Sequence, residues 1–154
     1  MTDFATRDLV LAIAHHLLIF SFAAALAFQI TVTRRAMTAD DIVRLARVDI
    51  WYGLLAAAIL AVGICRAVFA AKGWHYYSVN IFFQAKLGAF AIVGLLSIMP
   101  TRAIRRWRRA LARDTAFLPP PDEIGRIRRI LWLEVLFFAM IPAFAAAMAR
   151  FQGF

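Results

Sequence analysis

Four side chains toward one end of the apolar stretches of this chain carry a positive charge or an imidazole. They are the imidazoles of His15 and His16, the guanidinium of Arg66 and the ammonium of Lys86. Imidazole nitrogen ligates haem iron or relays protons, and guanidinium and ammonium pair with carboxylates. The nearby run AAKGWHYYSVN adds Lys72, His75, Tyr76, Tyr77 and Asn80. No Gly-rich phosphate loop, HExxH, nucleophile elbow or zinc spacing accompanies them, which argues against the soluble-enzyme chemistries those motifs serve.

The elements that must position these groups follow from composition. Of 154 residues, 64% are hydrophobic, and the mean hydropathy is +0.74. A water-soluble chain this short cannot bury so much apolar surface, so the surplus faces lipid. A transmembrane helix takes about 20 mostly apolar residues. Four segments qualify: about Leu9–Thr33, Ile50–Ala71, Ile81–Met99 and Ile130–Ala149. The expected fold is an all-α, integral-membrane, up-and-down four-helix bundle forming a single domain over 1–154. The single cysteine, Cys65, excludes an internal disulfide, so helix packing alone holds the bundle.

Orientation follows from the arginines. Arg34, Arg35, Arg44 and Arg47 occupy the first connection, and a dense run from Arg102 to Arg129 occupies the third. These connections are expected in the cytoplasm, with both termini periplasmic and the protein in a bacterial inner membrane. The formal net charge of +9 would suggest nucleic acid in a soluble protein. Here the arginines fall between apolar runs, so anionic lipid headgroups are the expected partner and nucleic acid is not. Segment 100–129 is expected to be amphipathic and to lie along the membrane surface. Arg102, Arg105, Arg106, Arg109 and Arg113 would meet headgroups, with Trp107 as interfacial anchor. Alanines at every fourth position (Ala23 and Ala27, Ala57 and Ala61, then Ala139, Ala143 and Ala147) predict close helix contacts.

With a rise of about 1.5 Å per residue, the intramembrane polar groups fall at one depth. His15 and His16 lie roughly 9–10 Å inside the first span, Arg66 about 7 Å from the end of the second, and Lys86 about 8 Å inside the third. Adjacent helical residues point about 100° apart, so one histidine alone faces inward. His16 shares a stripe with Ala12, Phe20, Ala23 and Ala27; His15 shares one with Leu11, Ile19, Phe22 and Leu26. The small-residue stripe predicts His16 as the inward member.

No carboxylate lies at this level; Asp49 and Glu134 sit toward the arginine-rich end. A positive cluster without counter-charge calls for an anionic ligand with an apolar body, and haem or another porphyrin has that form. His16 would ligate iron, with Met148 as second axial candidate, and Arg66, Lys86 or Lys72 would meet propionates. Lys86 and His16 are the candidates for any catalytic role. Snorkelling of Lys86 and Arg66 to headgroups is the plain alternative. Two other functions stay open: a small transporter or proton- or ion-handling protein using His16, Lys86 and Glu134, and an accessory subunit of a larger membrane complex or a homo-oligomer.

The strings AHHLLIFSFAAALA, LARVDIWYGLLA, VGICRAVFAAKGWHYYSVNIFFQAKLGAF and LLSIMPTRAIRRWRR resemble an uncharacterised family of small bacterial four-span membrane proteins, a domain of unknown function. The first-span histidine and FFQAKLGAF are also similar to HemJ-type four-helix protoporphyrinogen oxidases and, more loosely, to CopD-like membrane domains. That resemblance implies bound haem and functional roles for His15 or His16 and for Lys86.

Overall fold

The structure, a computed structural model, describes residues 2–34, 36–69, 74 and 78–150, with side chains from residue 6 onward. Among these described residues lie four long helices: α1 (Thr2–Val32), α2 (Ala39–Phe69), α3 (Ile81–Arg113) and α4 (Pro121–Arg150). All four are long and apolar enough to cross a membrane, so the chain is an all-helical, four-span membrane protein. Consecutive helices run antiparallel. The α1/α2 and α3/α4 pairs pack most extensively, while the α2/α3 and α1/α4 seams are thinner. The bundle is therefore two hairpins set side by side.

Local chemistry fixes the helix ends. Thr38 and Asp41 form a capping box at α2: Thr38 N donates to Asp41 Oδ2 at 2.9 Å, and Asp41 N to Thr38 Oγ1 at 3.2 Å. Asn80 caps α3, its Oδ1 accepting from Phe82 N and Phe83 N. Pro121 opens α4 as its first residue, where a missing N–H costs nothing.

The 33 residues of α3 span about 50 Å, against roughly 30 Å of bilayer hydrocarbon. The excess lies at the arginine-rich end. There residues 100–113 continue α3 without a break, and the exposed faces carry Arg102, Arg105, Arg106, Arg108, Arg109 and Arg113. The role expected of Trp107 is corrected. Its side chain is fully buried, packed in one cluster with Ile104, Leu111, Ile124, Ile127 and Leu131. An indole wedged between α3 and α4 releases more apolar surface from contact with headgroup water than one lying at the interface.

Phe22 is the hub of the bundle. Its ring stacks on Tyr52 of α2 at 4.3 Å and meets Phe138 of α4 at 5.2 Å and Phe90 of α3 at 6.3 Å. The face of α1 that turns inward is therefore the Phe22 and Leu26 face, while Phe20 is 69% exposed. Most of the striped alanines do not make the helix contacts: Ala27, Ala57, Ala61, Ala139 and Ala143 are exposed, while Ala23 and Ala147 are half-buried. In lipid, burial gives little drive for association, so the face able to interlock large rings wins over the smooth one.

Packing is uneven along the bundle axis. On α1 no described side chain before Phe22 is fully buried, and on α4 none after Glu134. The arginine-rich half is a closed core. In the opposite half, α1 and α4 are only half-covered on the faces that continue the buried stripe: Leu11, His15 and Ile19 on one, Phe138, Ile141, Ala145 and Met148 on the other.

Candidate functional site

The loosely packed half holds the cationic cluster. His15, not His16, is its imidazole. His15 is half-buried against α2, and a Cβ on Gly63 would lie 3.3 Å from its Cε1 and 3.9 Å from its Nδ1. Glycine at 63 is what lets the ring reach the α2 backbone. Arg66 and Lys86 both lie close enough to act electrostatically on His15 and on each other. Three helices thus set these polar groups within electrostatic range of one another.

His16 is exposed, and its Nδ1 bonds to Ala12 O at 2.7 Å. The expectation that His16 faces inward is overturned, because the Phe22 face sets the rotation of α1 and carries His15 with it, four and seven residues along from Ile19 and Phe22. Two nitrogens in the cluster, His15 Nδ1 and Arg66 Nε, are shielded from solvent and have no hydrogen-bond partner. Lys86 reaches back along α3 toward the same end, its Nζ 5.0 Å from the Phe83 ring centroid, in cation–π range.

The other expected ligand groups divide. Asn80 is 6% exposed and occupied as the α3 cap, which removes it from ligand duty. Met148 is half-buried on α4. Lys72, Tyr76 and Tyr77, with His75 beside them, lie outside the described residues. A shallow apolar hollow of about 310 Å³ lined by Thr6, Arg7, Val10 and Leu11 lies one turn beyond His15 on α1.

A family model described as "Predicted membrane protein (DUF2214)" matches residues 7–153. The chain belongs to the DUF2214 family. No curated protein and no solved structure matches it, so the similarity to HemJ-type and CopD-like proteins is not shown.

This DUF2214 protein has a second polar centre that the depth argument did not assemble. Tyr52 Oη donates to Glu134 Oε2 at 2.6 Å, crossing the bundle from α2 to α4. Thr101 Oγ1 donates to Asp49 Oδ1 at 2.8 Å, joining α3 to α2. Glu134 is 0% and Tyr52 3% exposed. A glutamate one turn inside an apolar run was a visible signal; its partner on a non-neighbouring helix was not. No group of three or more His, Cys, Asp or Glu residues suited to a metal ion occurs among the described residues.

Proposed function

We propose that the protein binds an acidic ligand with an apolar body in the loosely packed half, and that a porphyrin is the ligand class. The observation that carries this is the pair of buried, unpartnered nitrogens, His15 Nδ1 and Arg66 Nε, beside the Lys86 ammonium. Buried polar groups normally find partners, and charges inside a membrane usually mark function. A carboxylate lying between α1, α2 and α3 would accept from Arg66 and Lys86 together, and the half-covered apolar stripes of α1 and α4 would take the ring system.

Haem fits this site by its propionates more readily than by its iron. Arg66 and Lys86 would hold the carboxylates, and His15 replaces His16 as the axial candidate. Among the described residues the buried His15 Nδ1 has no carboxylate or carbonyl partner of the kind usual for metal-bound histidine. Bound haem would supply one-electron redox chemistry. The chain's own residues would orient the macrocycle and neutralise its acid groups. We place the site on the periplasmic side of a bacterial inner membrane, on the strength of the arginine asymmetry between the two ends.

Absorption and fluorescence spectra of protein purified from haem-replete cells test this. A Soret band, or quenching on titration with free protoporphyrin, that weakens at least tenfold in Arg66→Met is expected. A colourless protein that leaves protoporphyrin fluorescence unchanged removes the proposal. The outward alanine faces favour a second reading, an accessory subunit whose partner covers Ala57, Ala61, Ala139 and Ala143.

A further inference from the structure

Glu134 has no place in the ligand site, yet its burial is complete. One oxygen, Oε2, accepts from Tyr52; the other, Oε1, is buried with no partner. The groups that face it from each helix can be named. From α2 come Tyr52 and Asp49, the latter near enough to act on Glu134 electrostatically. From α3 come Thr101, bonded to Asp49, and Arg105, which acts on Asp49. The inward stripe of α1 from Phe22 to Thr33 carries no ionisable side chain. Arg128 of α4 is engaged elsewhere, donating to Ile30 O at 3.0 Å and Thr33 O at 2.7 Å. Among the described residues no cation forms an ion pair with Glu134.

We infer that Glu134 is a proton-binding site: its carboxylate accepts a proton from a hydronium ion, whose O–H bond breaks to leave water, and keeps it at neutral pH. A buried carboxylate with a bare oxygen, a second carboxylate nearby and no counter-cation is costly in apolar surroundings. Two carboxylates at such a site hold one proton between them more cheaply than none.

The proton's route follows from the packing. Below Glu134 along α4, Leu131, Ile127 and Ile124 are sealed; above it no described α4 residue is fully buried, and the sealed side chains there belong to α2 and α3, Ile59 and Val93 among them. Exchange therefore proceeds through the half that holds the cationic cluster. Among the described residues, the polar ties between the hairpins, Tyr52–Glu134, Thr101–Asp49 and Arg128 to the α1 carbonyls, all lie in the other half. Gain or loss of the proton acts on one of these ties, so protonation adjusts how the hairpins meet at the floor of the open half.

Infrared spectroscopy of the full-length, ligand-free protein in lipid tests this independently of any porphyrin. At neutral pH the wild type should give a protonated-carboxyl C=O band that disappears in Glu134→Gln. Tyr52→Phe should keep the band and move it to higher frequency as the hydrogen bond is lost. If Glu134→Gln does not fold, carbon-13 labelling of glutamate assigns the band in the wild type. The chain has two glutamates, and Glu123 is ion-paired with Arg106 at the surface. Absence of the band in wild type, its survival in Glu134→Gln, or its failure to shift on glutamate labelling overturns the assignment.

Discussion

Phe20 and Phe22 stand two residues apart on α1 and should respond oppositely to truncation. Phe22 is 1% exposed and touches rings on all three other helices; Phe20 is 69% exposed. In water most of the cost of Phe→Ala would be transfer of apolar surface, but lipid is as apolar as the core, so that contribution is small here. What remains is the cavity. Removing the Phe22 ring leaves about 100 Å³ if the neighbours hold, and at roughly 24 cal/mol per Å³ that costs about 2.4 kcal/mol. Loss of the stacked Tyr52 contact adds about 0.5–1.5 kcal/mol. Phe22→Ala should therefore lose about 3 kcal/mol, roughly a hundredfold in the unfolding equilibrium. Phe20→Ala, which opens no cavity, should lose under about 0.5 kcal/mol. Steric trapping or denaturing-detergent titration in bicelles measures both. Equal losses, or a larger loss at Phe20, would mean that α1 is rotated the other way, and with it that His16 rather than His15 faces the cluster.

Gly63→Leu should push the His15 ring off α2, since even a Cβ comes within 3.3 Å of Cε1. Diethyl pyrocarbonate should then modify His15 several times faster than in the wild type, read by mass spectrometry, with Gly63→Ala intermediate. An unchanged rate in the leucine variant contradicts the packing. Arg128→Gln should lose about 2–3 kcal/mol, because the guanidinium satisfies two carbonyls at the C-terminal end of α1. Its signature is faster amide hydrogen exchange in the last turn of α1, absent in Arg129→Gln, whose side chain is exposed. Thr101→Val should lose about 1–3 kcal/mol, leaving a buried Asp49 oxygen without its donor.

Composition and hydropathy alone determined that four helices cross a bilayer, because a 64% hydrophobic chain of this length has no other way to shed water. The common depth of His15, Arg66 and Lys86 was equally legible, since rise per residue converts position directly into height. Rotation about each helix axis was not. A stripe of alanines and a stripe of aromatics both look like packing faces in lipid, where hydrophobicity does not distinguish inside from outside. The choice fell to shape, through the way Phe22 fits among Tyr52, Phe90 and Phe138. That one fit placed His15 inward and His16 outward. The Tyr52–Glu134 bond needed the tertiary structure for a different reason: its partners are 82 residues apart on helices that are not sequence neighbours. Height along the membrane is written in the chain one residue at a time. Azimuth is decided only when the four helices meet.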